Sequence, residues 1–237
     1  MDFRTRLIRT LEAAEALLKV PGVIVIGSVV PNLLQAEGAP ALVISEDVDL
    51  GVPISRHHEL REALDRLQDF EASSTEPSVW LPRREELIEV NLVGMVTSQE
   101  KISDVWILED PDLPLLVFGT LSLLQPGRIV EIENLRVPLA EPAGLFLEKL
   151  LTERSQHKGA RDLLVAAALM QVMSNEDWKF VEAHYLCLPK DLAHHIRSNL
   201  SILSLMEGVK GMPDPAQQRT MIAELLSRLE ELETERQ

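Results

Sequence analysis

Near Pro138–Pro142 the sequence changes texture, and that change limits the fold more than any other feature. Before it, short apolar or alternating runs bounded by Gly, Pro and polar residues exchange with helix-period segments. After it, the pattern is helical only. Such a chain reads as an α/β (α+β) domain, a mixed sheet with flanking helices over residues 1–140, followed by an all-helical domain over 141–237. With 237 residues, each part is long enough to bury its own core.

In the first part, Phe3, Leu7, Leu11, Ala14 and Leu18 recur at helical spacing until Pro21-Gly22 stops them. Val23–Ile26 reads as a buried strand closed by Gly27-Ser28, and Val29–Ala36 as a helix with Pro31 in its first turn. A glycine-containing turn at Glu37–Pro40 leads to a strand over Ala41–Leu50. A helix at His57–Phe70, a turn and short strand in Glu71–Pro82, and strands at Leu87–Val93, Leu115–Phe118 and Ile129–Val137 complete the domain. The second part predicts helices at Ala143–Thr152, Gly159–Met173, Asn175–Tyr185, Lys190–Met206 and Gln217–Glu235, with a break at Gly208–Pro215.

Within this frame the chemistry concentrates in Ser45-Glu46-Asp47-Val48-Asp49-Leu50. Strand alternation sets both aspartates on one face while Val48 and Leu50 point into the core. Two neighbouring carboxylates repel, and each would tend to keep a proton. A divalent cation removes the conflict, and hard carboxylate oxygens suit Mg²⁺ or Mn²⁺. The Gly27-Ser28 turn adds a phosphate cradle: glycine allows close backbone approach, and Ser28 supplies a hydroxyl donor.

Together, Val25-Ile26-Gly27-Ser28, Glu46-Asp47-Val48-Asp49-Leu50 and Ile88-Glu89-Val90-Asn91 resemble the hallmark of the DNA-polymerase-β-like nucleotidyltransferase superfamily: strand, Gly-Ser, helix, Asp-x-Asp strand, and a third carboxylate on a later strand. The resemblance implies that Glu89 completes the metal and catalytic set with Asp47 and Asp49. Glu131 and Glu133 are its rivals, and a solvent-facing polar position on an edge strand is the bland reading. Glu148-Lys149-Leu150-Leu151 and His157-Lys158-Gly159-Ala160-Arg161-Asp162-Leu163 further resemble the segment that follows the catalytic domain in bacterial nucleotidyltransferases of the abortive-infection toxin type. That likeness implies phosphate contacts from Lys149 and Lys158 and a cleft-lining Arg161-Asp162 pair; plain surface charges on helices are the other reading. The departures are a glutamate at the third acidic position and the wholly apolar Leu163–Leu169, which lacks a second aspartate after Asp162.

The activity so implied is Mg²⁺- or Mn²⁺-dependent transfer of a nucleoside monophosphate from a nucleoside triphosphate to an acceptor hydroxyl that the sequence does not identify. The alternatives are a degenerate fold that binds a nucleotide or a partner without turnover, in toxin–antitoxin fashion, and a purely structural protein. A formal charge of −15 disfavours a broad nucleic-acid surface but leaves room for a small phosphorylated ligand in a local basic pocket. Residues 1–19 hold no apolar signal core and the apolar runs are short for a bilayer, so the expected location is cytoplasmic, with no membrane partner. The single cysteine, Cys187, lies in the apolar stretch His184–Leu188 and is expected to be a small buried residue. The adjacent pairs His57-His58 and His194-His195 diverge on a helix and predict no shared metal. Ile222, Leu225, Leu229 and Leu232 form a narrow seam that suits packing on its own domain and also suits a homodimer contact.

Overall fold

The computed structural model describes residues 1–35, 42, 44–76, 78–96, 102, 104–151, 156–207 and 214–235, with the side chains of 156–158 excepted. The turn expected at 37–40, most of the break expected at 208–215, and the side chain of Lys158 lie outside the described residues. The chain forms two compact units, one of Met1–Leu34 with Ser45–Glu141 and one of Gln35–Ile44 with Pro142–Gln237. The fold class is the expected one: a mixed sheet with flanking helices, and a C-terminal helical region.

The first unit begins with helices α1 (Phe3–Ala13) and α2 (Glu15–Leu18). Asp2 caps α1 by accepting from the Thr5 amide at 2.9 Å. Leu7, Thr10 and Leu11 form the buried stripe. Strand β1 (Ile24–Ile26) is three buried β-branched residues, which suits a central strand covered on both faces. It runs antiparallel to β2 (Asp47–Pro53), which runs parallel to β5 (Glu89–Met95). The full order is β3 (Phe70–Ala72), β4 (Val79–Pro82), β5, β2, β1, β9 (Leu135–Ala140) and β8 (Pro126–Ile132). The later half of β5 also pairs in parallel with β7 (Leu115–Phe118), whose other neighbour is β6 (Val105–Leu108). Helices α3 (Val30–Leu34) and α4 (His57–Leu64) follow β1 and β2.

Two side chains of α1 fix the starts of the two strands that matter for the site. Arg6 donates from Nη1 to Glu46 Oε2 at 2.6 Å, beside the start of β2, and from Nη2 to the Leu87 carbonyl at 3.1 Å, ahead of β5. The buried Thr10 hydroxyl accepts from the Ile88 amide at 2.9 Å. One helix thereby holds both strands at the level of their first residues.

Several boundaries depart from expectation. The β2 strand starts only at Asp47 and runs on to Pro53, because Leu50, Gly51 and Val52 are buried and stay in the ladder. The run 129–137, expected as one strand, is a hairpin of β8 and β9 that turns at Glu133, which adopts φ 55°. Strand β6 was not expected at all. It is an edge strand with Val105 and Ile107 exposed and Trp106 and Leu108 half-buried, an alternation that its all-apolar sequence does not show.

The second unit is built around α5 (Pro142–Leu151), which is buried on every side, as a helix apolar nearly all round should be. It packs against α6 (Gln156–Met170), α7 (Asn175–Cys187) and α8 (Lys190–Ser204). Phe146 meets Trp178 edge-on at 5.5 Å. Ser174 and Asp177 form a reciprocal capping box at the start of α7. Helix α9 (Pro215–Glu235) lays Ile222, Leu229 and Leu232, all buried, against α7 and α8, so the seam packs within its own unit. The Cys187 expectation is overturned: it is exposed at the end of α7, while Tyr185 and Leu188 take the inward positions. No described helix is long and apolar enough to cross a membrane.

Candidate active site

At the end of β1 the chain must turn sharply, and Gly27 does this at φ +77°, a conformation that side chains disfavour. A second requirement falls on the same residue. A Cβ at position 27 would overlap the Asp49 carboxylate, with Asp49 Cγ only 3.2 Å from it. Ile26 stands opposite Asp49 in the antiparallel β1–β2 ladder, so the turn and the acid strand abut by register. Ser28 is buried, and its hydroxyl shares a 2.5 Å hydrogen bond with that of Ser45.

Alternation along β2 does what the sequence implied: Val48 and Leu50 are fully buried, while Asp47 and Asp49 are half-buried on the opposite face. The parallel β2–β5 register then places Glu89 opposite Asp47 and Asn91 opposite Asp49. The Asn91 amide bridges the two acids, donating from Nδ2 to Asp47 Oδ2 at 3.3 Å and to Asp49 Oδ1 at 3.1 Å. Burial first, and then the charges of Asp47 and Glu76, push the Glu89 carboxyl above its ordinary range; a hydrogen bond with Asn91 works in the other direction. Two buried oxygens here, Asp47 Oδ1 and Asn91 Oδ1, have no hydrogen-bond partner among the described residues.

Buried oxygens without partners are costly unless something satisfies them. The donors gathered here are all oxygens: two carboxylates at alternate positions of one strand, a third carboxylate one strand away, and an amide. Two carboxylate ligands, with water at the remaining positions, are the kind of donor set that suits Mg²⁺ or Mn²⁺. Among the described residues, no three His, Cys, Asp or Glu side chains gather into a group that could hold a metal ion. What the two aspartates have between them is the Asn91 amide.

The rival carboxylates stand elsewhere. Glu131 is exposed on β8 and Glu133 sits in the β8–β9 turn; β1 and β9 lie between β8 and β2. In the helical unit, Lys149 is buried, and its Nζ lies 3.1 Å from both Glu148 Oε2 and Asp162 Oδ1. A phosphate reaching Lys149 would compete with both carboxylates. Arg161 is exposed on α6. His57 is used structurally: a ring nitrogen contacts the Leu113 carbonyl at 2.8 Å, and the other faces Asp110.

No protein-family model matches this sequence, and no curated protein matches it. Among solved structures, the chain is similar to an antigenic nucleotidyltransferase-like protein from Paracoccidioides brasiliensis, at 16% identity and a TM-score of 0.40, over 82% of this chain and 93% of that one. At that identity the likeness carries no residue-by-residue correspondence.

Proposed function

We propose that this chain transfers a nucleoside monophosphate from a nucleoside triphosphate to an acceptor hydroxyl, using Mg²⁺ or Mn²⁺. The observation that carries the reading is the contact between Gly27 and Asp49. The Asp49 carboxylate lies where a side chain at position 27 would sit, so a turn suited to glycine and the acid strand form one surface. A cation held by Asp47 and Asp49 would stand beside the Gly27-Ser28 turn and draw phosphate oxygens to that edge of the site. The resemblance of residues 148–163 to the toxin-type enzymes belongs to the same proposal.

A divalent cation bound at Asp47 and Asp49 would offset phosphate charge and make the acceptor hydroxyl more acidic. In the transfer, the acceptor oxygen bonds to the α-phosphorus while the bond from that phosphorus to the α–β bridging oxygen breaks. Pyrophosphate leaves with the electron pair, and the hydroxyl proton passes to a carboxylate. Glu89 is suited to receive it, since burial raises its proton affinity. A second reading, nucleotide or partner binding without turnover, is favoured by one observation: the Asn91 amide already relieves the repulsion between the two aspartates.

The test is incubation of the purified chain with each of the four α-labelled ribonucleoside triphosphates, Mg²⁺ or Mn²⁺, and a cell lysate. Label in an acceptor with the wild type, and none with Asp47→Asn or Asp49→Asn, is the expected result. Cation-dependent triphosphate binding with no transfer by the wild type selects the second reading. Binding by neither wild type nor variants overturns both.

A further inference from the structure

We propose that Asn91 is a two-way ligand: its amide nitrogen holds Asp47 and Asp49 together when no cation is bound, and its side chain turns by half a rotation to offer Oδ1 to the cation when one arrives. This rests on the reading that Asp47 and Asp49 bind a divalent cation.

Three features of the site support it. The Asn91 nitrogen stands between two carboxylates, 3.3 Å from Asp47 Oδ2 and 3.1 Å from Asp49 Oδ1, so it occupies the place where positive charge is wanted. The other end of the same amide, Oδ1, is buried with no partner among the described residues, as is Asp47 Oδ1. The two ends of a carboxamide are nearly the same size, and the terminal torsion of asparagine is soft, so exchanging them needs little space.

Electrostatics decides which end faces the acids. Without a cation, Oδ1 toward two carboxylates would be repelled, and the N–H groups must face inward. With a cation between the acids, the N–H groups are repelled and Oδ1 is attracted. The distances suit both states. Oxygens at adjacent corners of an octahedron with bonds of about 2.1 Å lie about 3 Å apart, close to the spacing that Nδ2 now keeps from the two aspartate oxygens. Exchange of N for O turns two hydrogen bonds into the edges of a coordination shell. Position 91 is thereby suited to a neutral residue that donates and accepts, and a third aspartate there would forgo the cation-free bridge.

The experiment combines Mn²⁺ affinity, read by electron paramagnetic resonance, with the side-chain amide signals of [¹⁵N]Asn-labelled full-length protein. The signal pair of Asn91, assigned by its loss in Asn91→Leu, should shift on Mg²⁺ saturation. Asn91→Leu should bind Mn²⁺ at least about tenfold more weakly than wild type, since it removes the ligand without adding charge. Asn91→Asp should melt lower than wild type without metal and recover with Mg²⁺, because it replaces the bridge by a third negative charge. If the Asp47→Asn/Asp49→Asn double variant loses Mn²⁺ while folded Asn91→Leu keeps wild-type affinity, Asn91 is no ligand and the cation reading stands. If the double variant binds Mn²⁺ like wild type, the cation lies elsewhere and both ideas fall. Should Asn91→Leu not fold, the amide signals decide, with Asn91→Asp identifying the pair: an Asn91 pair that stays fixed through Mg²⁺ saturation overturns the rotation.

Discussion

The two units each gather acids, and they treat them in opposite ways. In the helical unit, Glu148 and Asp162 flank Lys149, with side chains only 0, 9 and 8% exposed, and the lysine stands 3.1 Å from each. That group carries its own cation. In the sheet unit, Asp47 and Asp49 meet an amide, which hydrogen-bonds to them but brings no charge, and Glu89 adds a third carboxyl nearby. A buried charge is tolerated when paired, and its pairing can be internal or borrowed from solution. In the first arrangement a cation comes from the chain itself; under the proposed function the second would take one from solution.

The comparison can be broken most sharply at Lys149. Replacing Lys149 by Met leaves Glu148 and Asp162 without that partner and should destabilise the protein by about 3–5 kcal/mol, a loss read from urea unfolding. A change below about 1 kcal/mol would mean that the lysine is not what holds those acids. On the open side, Asp47→Asn and Asp49→Asn should each lower the labelled-transfer rate by about a hundredfold or more, roughly 3 kcal/mol of transition-state stabilisation. Transfer at the wild-type rate by either variant would remove these acids from the chemistry.

A smaller effect belongs to the turn beside them. Gly27→Ala places a Cβ in a left-handed conformation and against Asp49, and should cost about 1–2 kcal/mol of stability together with a measurable loss of triphosphate affinity in calorimetry. Unchanged affinity would detach the turn from the phosphate site. The smallest effect on stability is that of Glu89→Gln. Because the folded state raises the Glu89 pKa, the folded protein holds this proton more tightly than the unfolded chain does. Stability from that group is therefore fully present below the unfolded value near 4.5 and is lost as pH rises through the folded value. Without metal, Glu89→Gln should melt slightly above wild type at neutral pH, and the difference should vanish below pH 4. A gap that widens in acid would reverse the assignment.

Local pattern made much of this architecture legible. Val23–Ile26 had to be a buried strand, Leu115–Phe118 was bounded by turns, and period two placed Asp47 and Asp49 together. What stayed hidden depends on contacts between distant residues. That Asn91 would bridge the aspartates requires the parallel β2–β5 register, fixed by pairing across more than forty residues of chain. The β8–β9 hairpin was missed because the left-handed position of its Glu133-Asn134 turn is taken by Glu133, a residue that does not signal that conformation, with Asn134 after it. Cys187 was misplaced because an apolar neighbourhood says little about helix phase: Tyr185 and Leu188 turn inward, and Cys187 faces out.

The hold that α1 keeps on the two acid strands bears on how the chain can mature. Parallel pairing has no hairpin to guide it, and sliding β5 by one residue would turn Asn91 away and present Val90 or Leu92 to the aspartates. Arg6 and Thr10 close that option by gripping Glu46, Leu87 and Ile88 from outside the sheet. During synthesis α1 emerges about eighty residues before the strand it aligns, so it serves as a jig made ahead of the part it is to hold. Damage to that jig would appear first as chains that pair out of step, with their carboxylates scattered, while the apolar content of the sheet stayed the same.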